Sequence, residues 1–255
     1  MTALLEVREV SVQFDGVRAL DTVSFAVAEG EFVGLIGPNG AGKTTCLRAI
    51  TGALRPAGGR VLLDGRDLTG LAPHARVRLG LGLSQQLVRP FRSMTVAENV
   101  MLAAGLARTA RPLRALVQND RGRERARALE LLRRVGIEDA AAARPATLPL
   151  GVLKRLEVAR ALALAPRLLL LDEPLAGLNS AEARALADTI AAFNADEGLT
   201  IVLIEHNLGE VLRICRRLIV LDNGVRIAEG TPQDVMADRA VRAAYLGEDS
   251  DHAAA

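Results

Sequence analysis

The feature that most constrains this 255-residue chain is ten residues long. "GPNGAGKTTC" (37–46) follows an apolar run, Phe32 to Ile36, and precedes a helical pattern that continues to about Thr51. Gly37, Gly42, Lys43 and Thr44 fit the spacing G-x-x-x-x-G-K-[ST], in the strand–turn–helix setting that spacing requires. A chain of this composition produces about 0.001 such matches by chance, so the stretch reads as a phosphate cradle. Glycines let backbone N–H groups turn inward onto phosphate oxygens with no Cβ in the way. The helix behind them adds the positive end of its dipole. Gly37, Pro38, Asn39, Gly40, Ala41, Gly42, Lys43, Thr44 and Thr45 are therefore candidate nucleotide-binding residues, and the Thr44 hydroxyl is also a candidate ligand for Mg²⁺. The chain has two lysines, Lys43 and Lys154, against thirty arginines. At position 43 a compact ammonium suits the β- and γ-phosphates better than a forked guanidinium.

The rest of the chain reads as an α/β fold built around that cradle. "LLEVREVSVQF" (4–14) and the two apolar runs of "VSFAVAEGEFVGLIG" (23–37) are strands. The Glu29-Gly30 break between those runs makes either a hairpin or a step from one sheet to another. From about Thr95 to Leu164 Ala, Leu, Arg and Glu dominate, with helical spacing over 121–137, which predicts an inserted helical subdomain at about 95–165. Its arginine-rich face reads as a solvated surface. "RTARPLRALVQND" (108–120) is a weaker helix or a loop. From 168 strands and helices alternate again: "LLLLDEP", a helix over 181–195, "TIVLIEH" ending at His206, a helix over 208–215, then "RLIVLDNG" and "RIAEG". Short apolar runs between helices predict a parallel sheet buried on both faces. One domain over 1–247 is expected, with a frayed tail at 248–255.

Composition narrows the function classes. Charged residues are 24% with a net charge of +2, which gives no case for a nucleic-acid partner. Two cysteines, Cys46 and Cys215, make no disulfide framework and fit packing roles in a reducing compartment. No basic-then-apolar leader opens the sequence, and no apolar run approaches the ~20 residues of a membrane span.

Two further strand ends carry candidate chemistry. "LLLLDEP" (168–174) delivers Asp172 beside the cradle as a Mg²⁺ ligand and places Glu173 as a general base for an attacking water. "TIVLIEHN" (200–207) carries His206 toward the ligand edge of a parallel sheet, where the imidazole either contacts a γ-phosphate or is structural. His74 and His252 read as bystanders.

Taken together these residues resemble the ATP-binding subunits of ABC transporters, over about 4 to 247. The resemblance implies a P-loop NTPase of ABC type, with a parallel core sheet, an antiparallel β subdomain and the helical insertion. It also implies ATP and Mg²⁺ as ligands, and it assigns roles. Phe14 in "VQFDG" stands where the family puts an aromatic against adenine, with a core phenylalanine as the alternative. Gln86 in "SQQLVRPF", chosen over Gln85 from its spacing to Phe91, matches the glutamine that senses Mg²⁺ and couples to the membrane partner. "AGLN" (176–179) matches the loop that crosses to a partner ATPase, and His206 matches the switch histidine. The likeness is greatest to the ATPases of branched-chain amino acid importers, through "LTGLAPHARVRLGLGLSQQLVRPFRSMTVAENV", "LEVARALALAPRLLLLDEPLAGLN", "LIEHN" and the ending "AYLGE". An insertion between Val100 and about Arg121 occurs in that branch too. Lipopolysaccharide-exporter ATPases share several of these phrases and are the rival reading, followed by a non-transport ABC ATPase. The family reading implies a second ABC ATPase, two membrane permeases and, indirectly, a binding protein as partners, at the cytoplasmic face of the membrane, with the chain soluble when expressed alone.

One stretch departs from the family. Where its signature reads L-S-G-G-Q, residues 148–152 are "LPLGV". Gly151 is kept as a nucleotide-contacting candidate. Pro149 has neither the hydroxyl nor the N–H of serine. Because one subunit's signature closes over the other's nucleotide, the departure weakens the partner's site and leaves this chain's cradle intact.

Overall fold

A computed structural model of the protein describes residues 3–14, 16–84, 89–106 and 121–251, the last six of these by backbone alone. The strands are β1 (Ala3–Phe14), β2 (Val17–Ala28), β3 (Phe32–Ile36), β4 (Gly58–Leu63), β5 (Arg66–Asp67), β6 (Leu81–Ser84), β7 (Leu168–Asp172), β8 (Thr200–Ile204), β9 (Arg217–Asp222) and β10 (Val225–Gly230). They form two sheets, an antiparallel β2-β1-β4-β5 and a six-stranded β10-β9-β3-β8-β7-β6. In the larger sheet β9, β3, β8, β7 and β6 run parallel. β10 returns antiparallel to β9 over Asn223 and Gly224, with φ of 44° and 77°, the left-handed pair of a two-residue hairpin. The Glu29-Gly30 break is thus the step between sheets, since β2 and β3 lie in different ones.

The uninterrupted apolar runs follow from burial on both faces. Along β3, Phe32 and Ile36 enter one hydrophobic core while Val33 and Leu35 enter the other. In β7, Leu169 and Leu171 face the first core, and Leu168 and Leu170 the second. β8 divides likewise, Ile201 and Leu203 against Val202 and Ile204. The second core is closed by the antiparallel sheet, through Leu5, Val10, Leu20 and Val27. The first is closed by helices, including Val96–Ala104, Gly122–Arg134 and Leu150–Ala163 of the inserted region, and by Ser180–Glu197. Each exposed helix face is polar because only a stripe is needed for packing: in Gly122–Arg134 the buried residues are Ala128, Leu131 and Leu132.

Several boundaries differ from the sequence reading. β8 ends at Ile204, two residues before His206, where its partner β7 ends at Asp172 and the next residue, Glu173, turns left-handed. Short helices Pro73–Arg78 and Pro232–Ala237, each begun by the proline that suits a first helical position, were not legible. The closing helix Arg239–Asp251 runs four residues past the Gly247 boundary. The 108–120 segment lies outside the described residues. Both cysteines are free and buried, and burial pushes each thiol up to about 12.

Candidate nucleotide site

The helix Lys43–Thr51 starts at the carboxyl end of β3 and puts its N-terminus at the edge of the parallel sheet where β7 and β8 also finish, the edge at which such sheets take ligands. The cradle between them is pressed against neighbouring backbone. At Gly37, with φ of 149°, a Cβ would stand 2.0 Å from the Leu221 carbonyl oxygen. At Gly42, with φ of 100°, it would stand 2.7 Å from the Ala19 carbonyl oxygen. Only glycine meets both the conformation and the space. Lys43 is 6% exposed. Its Nζ donates to the Gly37 and Pro38 carbonyls at 2.7 and 2.8 Å, so the charge is fixed inside the loop it serves. At the other end of this helix the buried Arg76 donates to the Ala49 and Ile50 carbonyls at 2.8 and 2.7 Å. It satisfies acceptors that a helix C-terminus leaves open.

The cleft above the cradle measures about 220 Å³ and is lined by Ala19, residues 39–45, Glu173 and His206. Three strands far apart in sequence thus bring one cradle, one acid and one imidazole together. Asp172 ends β7 and is 7% exposed, and its Oδ1 is buried with no hydrogen-bond partner among the described residues. Burial, then the neighbouring Glu173 charge, raises its pKa, opposed by Arg48, Lys154 and His206. A buried anionic oxygen without a donor fits a cation. Glu173 has φ of 50°, a left-handed conformation for a side-chain-bearing residue that costs about 1–3 kcal/mol. Its N–H donates to the Ile204 carbonyl at 2.9 Å, its carbonyl accepts from Lys154 Nζ at 2.9 Å, and its Oε1 lies 2.8 Å from His206 Nε2. The His206 ring therefore sits on the acid, half exposed.

Other expected residues stand apart. Phe14 is 46% exposed at the end of β1, which removes the core alternative, and it does not line the cleft. Gly151 lies in the first turn of Leu150–Ala163, and no residue of 148–152 lines the cleft. Gln86 lies outside the described residues. Asn179 of "AGLN" caps Ser180–Glu197, accepting from Glu182 N–H at 2.9 Å while Glu182 accepts from Asn179 N–H at 3.2 Å. Asparagine caps as well as aspartate does. Two residues that sequence reasoning did not place here are Lys154 and Glu205, both 4% exposed. For Lys154 the available signal was its rarity in an arginine-rich chain. For Glu205 it was a charge abutting a wholly apolar strand.

Residues 20–176 match the family model described as ABC transporter. The chain belongs to the ABC transporter family. It is an ATP-binding and ATP-hydrolysing cassette of that family, and residues 225–251 match a second model, branched-chain amino acid ATP-binding cassette transporter. The chain is 37% identical over 96% of its length to the high-affinity branched-chain amino acid transport ATP-binding protein BraF of Pseudomonas aeruginosa, covering 98% of that protein. It is 35% identical over 97% of its length to the lipopolysaccharide export system ATP-binding protein LptB of Escherichia coli, covering 98% of it. Among solved structures, the ADP conformation of the ATP-binding cassette MJ1267 superimposes with a TM-score of 0.84 at 29% identity, covering 97% of this chain and 100% of that one. The ABC cassette thus accounts for the two-sheet, helix-inserted architecture.

Proposed function

We propose that this cassette is the ATP-hydrolysing subunit of an importer for branched-chain or related amino acids. The observation that carries the reading is the match of residues 225–251, the segment after β9, to the branched-chain amino acid model. BraF's function and near-complete coverage support it. In this reading the cradle N–H groups and Lys43 hold the β- and γ-phosphates of ATP, and Phe14 stacks on adenine. Thr44 and Asp172, with Gln86, would hold Mg²⁺, which when bound neutralises phosphate charge. Glu173 takes a proton from water as its oxygen bonds to the γ-phosphorus and the bond to the ADP oxygen breaks. His206, within hydrogen-bond reach of that carboxylate, orients it and meets the γ-phosphate. Because 148–152 do not line the chain's own cleft, Gly151 serves the cradle of a second ATPase bound head-to-tail.

No helix among the described residues is long and apolar enough to cross a membrane. Attachment at the cytoplasmic face then depends on two permease subunits, with a binding protein choosing the substrate. Glu173→Gln should retain ATP binding and lose turnover by about 10²–10⁴-fold. The substrate test is uptake of radiolabelled leucine by a deletion strain: wild type restores it and Glu173→Gln does not. The whole-length likeness to LptB favours a second reading, a lipopolysaccharide exporter. Unchanged leucine uptake with loss of surface lipopolysaccharide would select that reading instead.

A further inference from the structure

Both lysines of the chain end on backbone carbonyls at the nucleotide site. Lys43 closes on its own loop. Lys154 comes from elsewhere, the second turn of Leu150–Ala163, and reaches the Glu173 carbonyl at 2.9 Å. That carbonyl belongs to a residue with a left-handed backbone, and it also accepts from Ala176 N–H at 3.3 Å. The opposite side of the same turn is tied by Glu205. Its Oε1 accepts from Leu175 N–H at 2.6 Å, and its Oε2 from His206 N–H at 3.2 Å. Burial lowers the pKa of the ammonium, and the nearby negative charges of Glu205, Glu173, Asp172 and Glu157 oppose that shift only in part. The arrangement is thus a buried cation and a buried anion, each hydrogen-bonded to the backbone around the acid and the histidine. Neither side chain lines the cleft, so neither is a catalytic residue.

We propose that Lys154 is a positioning residue for Glu173: its hydrogen bond to the Glu173 carbonyl holds the left-handed backbone and so aims the carboxylate at the attacking water. The hold comes from the helix whose first turn carries Gly151, so a shift of that helix moves the acid. This rests on the reading of Glu173 as general base. A catalytic group held in a conformation its own backbone disfavours relaxes when one tie is cut, and displacement of about 1 Å costs on the order of 10²-fold in rate.

The test measures ATPase kinetics and fluorescent-ATP binding for the full chain in its transporter assembly. The variants are Lys154→Met, Lys154→Gln, Glu173→Gln and the double variants. Lys154→Met should lower kcat by about 10²-fold while KM and ATP affinity stay within about twofold. Lys154→Gln keeps a donor and should recover about tenfold of that loss. On the Glu173→Gln background either Lys154 change should cost no more than about twofold, because there is no base left to aim. An unchanged kcat in Lys154→Met, a parallel loss of ATP affinity, or full additivity with Glu173→Gln overturns the proposal. If Lys154→Met does not fold, the non-additivity of Lys154→Gln decides the matter alone. Normal hydrolysis by Glu173→Gln would sink the base assignment itself, a result separable from the Lys154 comparison.

Discussion

Two helices in this molecule begin at glycine-bearing turns and carry one buried lysine each, Lys43–Thr51 and Leu150–Ala163. Their N-termini are built to different tolerances. The first begins after Gly42, which is left-handed, and Gly37 upstream is pressed onto the Leu221 carbonyl. The Leu221 and Ala19 carbonyl oxygens crowd its two glycines, Gly37 and Gly42. The second begins after Pro149 and presents Leu150, 43% exposed. Its Gly151 has no positive φ, and the nearest atom to an added Cβ is the end of the Glu182 side chain, at 3.0 Å. A flexible carboxylate can move aside and a carbonyl in a sheet cannot. One terminus is a tightly enclosed cradle. The other is a looser surface.

That contrast can be broken at either end. Gly37→Ala should be the most damaging change, since a Cβ 2.0 Å from a backbone oxygen forces the cradle out of place; loss of both ATP binding and soluble expression is expected. A well-folded Gly37→Ala protein that binds ATP normally would show the cradle to be no stiffer than the other terminus. Lys43→Ala should keep the fold and weaken ATP binding by about 10²-fold or more, from charged hydrogen bonds of about 1.5–3 kcal/mol each. Titration with a fluorescent ATP analogue reads this directly, and wild-type affinity would remove Lys43 from the site. Pro149→Ser sharpens the comparison from the other side. In an assembly whose own cradle is silenced by Glu173→Gln, the added hydroxyl should raise turnover at the partner's cradle by about tenfold, and no gain would mean that the proline does not limit that site. Gly151→Ala should have the smallest effect on folding, about 1 kcal/mol or less, because alanine favours a helix interior over glycine and Glu182 can yield. Thermal melts that place it with Gly37→Ala would refute the difference in tolerance.

Much of this was legible in the sequence. The cradle was readable because its requirement is local: spacing, glycine and a following helix. Asp172 and Glu173 were readable because four leucines announce a buried strand that must end somewhere, and β7 ends there. The positions of Glu29-Gly30 and Phe14 stayed open, because a turn does not reveal which sheet receives the next strand and one aromatic does not reveal its neighbours. Short helices begun at Pro73 and Pro232 were missed because six residues are too few to show a helical period.

The sequence alone determined that this chain has a parallel sheet with a nucleotide cradle on its carboxyl edge, since period, spacing and glycine act over a few residues. Only the tertiary structure decided how the acid in that site is held. Glu173 takes its backbone ties from Ile204, thirty-one positions away, and from Lys154, nineteen positions before it, while Glu205 binds Leu175 from the end of the adjacent strand. No linear pattern encodes those contacts. They exist because β7 and β8 lie in register and the Leu150–Ala163 helix packs behind them, which makes a buried ammonium and a buried carboxylate worth their desolvation only where the fold supplies partners for both.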